Sequence, residues 1–124
     1  MIPSIRTDRL DAAVEFYVDR LGFAVVRGTP AEANVALSRG GERVMLEAPG
    51  DFYSAGYNEA IGARVGSPSP HSLYIEEPEL EDYYAAVQEK GVEIVDALAP
   101  RPWGQVEFTL ADGDGNWLTF WRLS

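Results

Sequence analysis

The feature that most constrains this fold is a pattern that occurs twice along the chain. The segment LDAAVEFYVDRLGFAVV, from Leu10, and the segment PELEDYYAAVQEKGVEIV, from Pro78, each contain an apolar helical stripe, a glycine and a short apolar strand. Apolar residues three and four positions apart predict an amphipathic helix, and a glycine after them predicts its end. The two glycines, Gly22 and Gly91, lie 91 − 22 = 69 residues apart. We therefore predict two copies of one structural module.

Extended segments surround both predicted helices in the same order. IPSIR and HSLYIE precede the helices, and ERVMLEA and NWLTFW end the two copies. Each copy is therefore predicted to be a βαβββ module within an α+β fold, with helices near residues 9–21 and 79–90. Asp8 is the predicted N-cap of the first helix, and Pro78 the predicted start of the second. A chain of 124 residues has the size of one domain, here two repeats, about 1–48 and 70–124.

A long loop, residues 49–69, is predicted to join the two repeats, because glycine, proline and serine interrupt it repeatedly. It also contains Phe52, Tyr53 and Tyr57, which a plain linker seldom needs. Long connections inside compact domains are usually functional or carry a small element of their own. These aromatic side chains could line a ligand site, or they could pack against the edge of the core, and the sequence favours neither alternative.

The stretch ADGDGNWLTFW superficially resembles a calcium-binding loop, with Asp112, Asp114 and Asn116 in the places of the first ligands. Such a loop needs glycine at its sixth position and a bidentate glutamate at its twelfth. Those positions hold Trp117 and Leu123. We therefore predict a tight turn between two hairpin strands, QVEFTLA and NWLTFWR.

Charge is the strongest signal in the composition. Twenty acidic and ten basic residues give a net charge of −10, and residues 63–124 hold 11 of the acids and 4 of the bases. Such a field repels nucleic acid and anionic membrane surfaces and attracts cations, although solubility alone could account for it. The chain has no cysteine, no apolar run of membrane-spanning length and no signal-peptide pattern at its start, so we expect a soluble cytoplasmic protein.

Two motifs together resemble the vicinal oxygen chelate superfamily, which comprises glyoxalases, bleomycin-resistance proteins and ring-cleaving dioxygenases. LDAAVEFYVDRLGF is similar to the first-helix motif of that group, and RPWGQVEFTLADGDGNWLTFW is similar to its ending. The resemblance covers essentially the whole chain. It implies two curled mixed sheets around a ligand cleft, and a homodimer in which each cleft borrows residues from both chains.

In the metal-using enzymes of this group, histidine and glutamate side chains on the first and last strands of each repeat hold a divalent ion. The resemblance places these positions at Ile2, Glu47, His71 and Thr119. Only Glu47 and His71 are ligand types, and two protein ligands are too few for a stable site. We therefore expect no metal, no other cofactor and no catalytic residue. Glu47 and His71 could still form an acid–base pair if their strands face one another.

An acidic, aromatic cleft without a metal resembles the bleomycin-resistance branch, whose members bind a basic, partly planar antibiotic without reacting with it. Trp103 falls on a tryptophan that stacks on the drug in that branch. The branch's second stacking aromatic has no counterpart in GTPAEANVALS, so the ligand's identity stays open. Trp117, on a predicted central strand, is expected to pack in the core or in a dimer interface. The predicted ligand-binding residues are Trp103, Phe52, Tyr53, Tyr57, Glu47 and His71.

The function expected from this resemblance is sequestration of a small cationic aromatic compound, as in antibiotic resistance. Two alternatives remain. One is a metal-dependent lyase or dioxygenase of the same superfamily with an atypical metal shell, which metal analysis would reveal. The other is a scaffold without a ligand, which no compound would stabilise against heat.

Overall fold

The computed structural model describes residues 1–124, which form two compact units, Met1–Pro68 and Ser69–Ser124. Each unit contains one βαβββ module, as the repeated sequence pattern predicts. None of the helices is long and apolar enough to cross a membrane.

The first unit is a four-stranded mixed sheet with the strand order β1-β4-β3-β2. Strand β1 is parallel to β4, and the remaining neighbours are antiparallel. A π-helical turn and a 3-10 turn supplement its two helices. The elements are β1 Ser4–Arg6, α1 Leu10–Glu15, the π-helical turn Phe16–Arg20, β2 Ala24–Arg27, the 3-10 turn Pro30–Glu32, β3 Asn34–Arg39, β4 Glu42–Glu47 and α2 Ala55–Arg64.

The second unit repeats this arrangement with the strand order β5-β8-β7-β6. Strand β5 is parallel to β8, which is antiparallel to β7, and β7 is antiparallel to the edge strand β6. The elements are β5 Ser72–Glu76, α3 Leu80–Glu89, β6 Ile94–Pro100, β7 Gln105–Ala111 and β8 Trp117–Leu123. Both units therefore place their last strand beside their first.

The predicted helices are present, and the glycines follow them as expected. Gly22 and Gly91 have φ angles of 81° and 76°, in the left-handed region that glycine adopts without a steric cost. The predicted N-cap is wrong, because Arg9 and not Asp8 occupies that position and no side chain caps the helix. Pro78 lies in a turn two residues before α3, so it precedes the helix start.

One face of each sheet forms the core with the helix of its own unit. In the first unit α1 packs against β4, and Val35, Leu37 and Leu46 on the central strands are fully buried. In the second unit Phe108 and Phe120 stack with ring centroids 5.6 Å apart beneath the aromatic residues of α3. Side chains alternate between the two faces of a strand, so the residues between these core positions lie on the opposite face.

The connection after β4 is more ordered than the predicted loop, because it contains α2. Ser54 caps this helix by accepting a hydrogen bond from the backbone N–H of Tyr57, and Ile61 is buried. Asn58 bonds to both backbone polar groups of Gly50. A Cβ atom at Gly50 would collide with the side chain of Ala33, so only glycine fits this point of the connection.

Candidate ligand-binding site

The face of each sheet that lies opposite its core helix carries the polar and aromatic residues of interest. We call it the open face. In the second unit Glu107, Thr109 and Thr119 lie on this face, because they alternate along β7 and β8 with the core residues Phe108 and Phe120. In the first unit Glu47 alternates in the same way with Leu46.

The open face of the first unit is organised around Glu47, which is only 5% exposed. Its Oε1 accepts a hydrogen bond from the Tyr57 hydroxyl at 2.8 Å and lies 3.0 Å from Nε of Arg6. Its Oε2 accepts from the Tyr53 hydroxyl at 2.9 Å and from Nδ2 of Asn34 at 3.4 Å. Arg6 and Asn34 are the register partners of Glu47 on the two neighbouring strands. We call these five residues the Glu47 cluster.

The Glu47 cluster is internally satisfied. A buried carboxylate is costly unless it is paired and hydrogen-bonded, and here one guanidinium and three neutral donors surround it. The Tyr53 hydroxyl can donate at neutral pH, and burial raises its pKa further above its ordinary value. The rings of Tyr53 and Tyr57 meet edge to face with centroids 4.8 Å apart. Both tyrosines therefore hold the connection onto the sheet.

The open face of the second unit exposes aromatic rings instead. Trp103 is 63% exposed, Trp117 50% and Tyr74 58%. Trp117 shares its face with Thr119 rather than with Phe120, so it does not pack in the core, and its packing in a dimer interface stays a prediction. A central strand of a sheet with one open face still exposes every second residue.

Buried Glu107 holds the ring of Trp103 in place. The indole Nε1 of Trp103 donates to Oε2 of Glu107 at 3.1 Å. Arg101 lies 3.8 Å from the other carboxylate oxygen and donates to Asp96 at 2.6 Å. This chain of contacts fixes the edge of the indole and leaves its faces exposed to solvent.

Three hydroxyl groups lie side by side on the same face. Thr119 Oγ1 is 2.9 Å from Ser72 Oγ and 2.8 Å from Thr109 Oγ1. The three residues come from β5, β8 and β7, which are adjacent in the sheet. Thr119 is only 3% exposed, whereas Ser72 and Thr109 are partly accessible. We call these residues the hydroxyl triad.

The positions at which the resemblance implies metal ligands do not fit a metal ion. Ile2 has no ligand atom, Thr119 belongs to the hydroxyl triad, and the Glu47 carboxylate is bonded within its own cluster. His71 is exposed just before β5, and its backbone N–H donates to Ser69 Oγ. No three histidine, cysteine, aspartate or glutamate side chains come together as a metal-binding group.

The aspartate-rich stretch forms the predicted turn. Oδ1 of Asp112 accepts hydrogen bonds from the backbone N–H groups of Asp114 and Asn116, which closes the connection between β7 and β8. The side chain of Asn116 donates to Asp112 and accepts from the backbone of Ser69. The polar atoms of this stretch therefore stabilise the hairpin and its approach to β5.

The structure brings together only some of the predicted ligand-binding residues. Glu47, Tyr53 and Tyr57 meet in the first unit, whereas Phe52 in the same connection is 75% exposed. Trp103 and His71 belong to the second unit. Sequence reasoning missed Arg6, Asn34, Glu107 and the hydroxyl triad. The available signal was strand alternation, which places Arg6 on the same face as Glu47 once the two strands are paired.

A comparison with protein-family models assigns the chain to a family. The chain belongs to the Glyoxalase/Bleomycin resistance protein/Dioxygenase superfamily, whose family model matches residues 3–120. No curated protein matches the chain significantly.

Several solved structures share this fold. TioX from Micromonospora sp. ML1 is 21% identical with a TM-score of 0.76, and the match covers 100% of this chain and 98% of TioX. A superfamily member from Sphaerobacter thermophilus DSM 20745 is 24% identical with a TM-score of 0.75, covering 97% and 93% of the two chains. TnmS3, an antibiotic binding protein from Streptomyces sp. CB03234, is 23% identical with a TM-score of 0.70, covering 99% and 93%. At these identities the likeness concerns the fold.

Proposed function

We propose that this chain binds and sequesters a small cationic aromatic compound, such as a bleomycin-type antibiotic, and catalyses no reaction on it. The observation that carries the proposal is the open face of the second unit, where Trp103, Trp117 and Tyr74 are each at least half exposed. Large aromatic side chains are seldom left exposed together unless something binds them. Flat rings stack on such walls, and a good aromatic pair contributes about 0.5–1.5 kcal/mol beyond its buried area.

The charge distribution supports a cationic ligand. Residues 69–124 contain 11 acids and 3 bases, so their net charge is 3 − 11 = −8, whereas residues 1–68 contain 9 acids and 7 bases, giving 7 − 9 = −2. The aromatic face therefore belongs to the strongly acidic unit. A negative field raises the local concentration of a positive ligand and speeds its association. Ring faces also attract cations directly.

Among the predicted ligand-binding residues, we assign stacking to Trp103. Its exposed indole is held at one edge by Glu107, which lowers the entropy lost when a ligand stacks on it. Phe52 and His71 are exposed and accessible to a ligand. Glu47, Tyr53 and Tyr57 are bonded to one another in the first unit, so we propose that they hold the connection on their own sheet rather than bind the positive charge directly. That TnmS3 is an antibiotic binding protein is compatible with this proposal.

Binding of proflavine, a planar cation, tests the aromatic face through quenching of tryptophan fluorescence. Trp103→Ala should weaken binding by about 1–3 kcal/mol and keep the chain folded, because the side chain is mostly exposed and its loss removes only one hydrogen bond to Glu107. Val95→Ala, a change at an exposed apolar residue of β6, is the matched control and should bind like the parent. Binding should also weaken as salt rises, since charges are screened over about 8 Å at physiological ionic strength.

Two results would contradict the proposal. If Trp103→Ala bound proflavine as well as the parent but melted several degrees lower, the indole would be a packing residue. If ethylenediaminetetraacetate abolished binding and a divalent ion restored it, the alternative of a metal-dependent lyase or dioxygenase would replace ours. Metal analysis of protein purified without chelators gives the same distinction independently.

We also propose that the chain forms a homodimer. Val25 and Val26 on the edge strand β2 are 50% and 44% exposed, and an exposed apolar edge is a liability that a partner can cover. Sedimentation should show a dimer at about 10–100 μM, the concentration range in which a micromolar homodimer is populated. A monomer throughout that range would refute dimerisation and leave the ligand-binding proposal untouched.

A further inference from the structure

We infer that the hydroxyl triad, formed by Ser72, Thr109 and Thr119, is the polar anchor of the ligand site and selects an uncharged hydrogen-bonding group on a planar ligand. This inference rests on the proposed function, because it assigns the second recognition element of the same open face. It adds a chemical requirement that the aromatic rings alone do not impose.

The hydroxyl triad has a hydrogen bond to spare. Three hydroxyl groups carry three protons, whereas the two contacts within the triad, at 2.9 Å and 2.8 Å, use two of them. One O–H group therefore remains available, together with unused lone pairs, because each hydroxyl oxygen can accept two hydrogen bonds. Thr119 lies at the centre and is buried, so the accessible ends of the triad are Ser72 and Thr109.

Aromatic side chains flank the triad on the same face. Tyr74 is the register partner of Thr119 on the neighbouring strand, and Trp117 is the register partner of Ser72. Strands in a sheet lie about 4.8 Å apart, and residues two positions apart on a strand are separated by about 7 Å. A ring that stacks on Trp117 or Tyr74 thus places its edge over the hydroxyl groups.

The triad favours a neutral group over a charged one. It contains no ionisable side chain, and the nearest buried carboxylate on this face, Glu107, is already bonded to Trp103 and paired with Arg101. Moving a charged group out of water onto three neutral hydroxyls would leave much of its hydration uncompensated. A carbonyl oxygen, by contrast, needs one donor, which the triad supplies. The site therefore fits a planar aromatic compound with a ring carbonyl or a similar group at its edge, and with any positive charge elsewhere.

A pair of flat, neutral probes isolates this contact. 9-Fluorenone and fluorene share one three-ring frame and differ in a carbonyl against a methylene group. We expect the parent chain to bind fluorenone about three- to tenfold more tightly than fluorene, the range of one net hydrogen bond between neutral groups. The double variant Ser72→Ala/Thr109→Val removes both accessible hydroxyls and leaves only the buried one of Thr119, so it should lower fluorenone affinity to that of fluorene without changing fluorene affinity.

Two further variants keep the experiment decisive. Ser72→Ala/Thr109→Ala removes the same two partly accessible hydroxyls, and it should reproduce the loss of discrimination if the first double variant does not fold. Thr29→Val, which removes a hydroxyl from the first unit, is the control and should retain the parent's preference.

The outcomes separate this inference from the proposed function. Equal binding of fluorenone and fluorene by the parent, or an equal loss of both probes in Ser72→Ala/Thr109→Val, overturns the anchor alone. The anchor alone is also overturned if the parent binds proflavine but neither fluorenone nor fluorene. A parent that binds none of the three compounds overturns the proposed function, and the anchor with it. A preference for fluorenone that disappears in the double variants of Ser72 and Thr109 but persists in Thr29→Val supports the anchor.

Discussion

The two sheets share one topology but treat their open faces differently. Arg6, Glu47 and Asn34 are register partners across β1, β4 and β3 of the first sheet. The corresponding row of the second sheet, across β5, β8 and β7, consists of Tyr74, Thr119 and Thr109. An ion pair with an amide in one unit is thus replaced by hydroxyl groups in the other.

This difference shows how one side chain determines whether a face is covered. A buried carboxylate must be paired and fully hydrogen-bonded. Glu47 therefore accepts hydrogen bonds from Tyr53 and Tyr57, and these bonds hold the connection after β4 over the first sheet. The hydroxyl triad carries no charge, so its remaining O–H group can face water and the triad needs no cover. The second face is therefore left accessible to a ligand.

Removing Arg6, the cation paired with Glu47 on the first sheet, should have the largest effect on stability. Arg6→Ala leaves the Glu47 carboxylate buried without its charge partner, and because Arg6 is itself about one-third exposed we expect a loss of about 2 kcal/mol in the free energy of unfolding. Urea denaturation measures this loss. Arg122→Ala, which breaks the exposed pair with Glu81 in the second unit, is the comparison and should cost less. Equal losses would mean that burial of Glu47 does not distinguish the two faces.

Removing a tyrosine hydroxyl from the connection over the first sheet should have an intermediate effect on the free energy of unfolding. Tyr57→Phe deletes the donor that lies 2.8 Å from Glu47, and we expect a loss of about 1–1.5 kcal/mol, since hydrogen bonds to charged groups exceed those between neutral ones. Tyr74→Phe on the exposed face should change stability by less than about 0.5 kcal/mol. A larger drop in melting temperature for Tyr74→Phe than for Tyr57→Phe would contradict the proposed difference between the two faces.

The smallest effect should be confined to alkaline pH. Burial raises the pKa of Tyr53 above its ordinary value of 10.0, and the Glu47 carboxylate acts in the same direction while the Asn34 hydrogen bond opposes them. The folded chain then holds this proton more tightly than the unfolded chain, so the contribution to stability is complete below pH 10 and is lost as pH rises through the folded pKa. Tyr53→Phe should show a shallower decline of stability above pH 10. An unchanged slope in denaturation between pH 9 and 11 would contradict this assignment.

The repeat made most of the fold predictable from the sequence. Both helices begin and end close to their predicted limits, because apolar stripes and left-handed glycines act locally. Helix α2 was missed because Gly56 and Gly62 lie within it and glycine disfavours helix, so its formation depends on capping by Ser54 and burial of Ile61.

The candidate site was less predictable, because its contacts depend on strand pairing. Glu47 could be singled out from the sequence, but its bond to Arg6 becomes visible only when β1 is placed beside β4 in register. Trp117 shows the same dependence, because the register of β8, and not its central place in the sheet, puts this residue on the exposed face. Local patterns thus identify the elements, whereas the composition of each open face requires the register.

Gly50 is a second requirement for the covering of the first sheet, beside the hydrogen bonds to Glu47. The segment bearing both cluster tyrosines can descend onto the first sheet only because position 50 has no methyl group to meet Ala33. We expect a larger side chain at this position to displace the connection from the first sheet. The face exposed in this way carries Arg6, Glu47 and Asn34 instead of hydroxyl groups. The number of surfaces that such a chain offers to small molecules can therefore evolve through a residue that touches none of them.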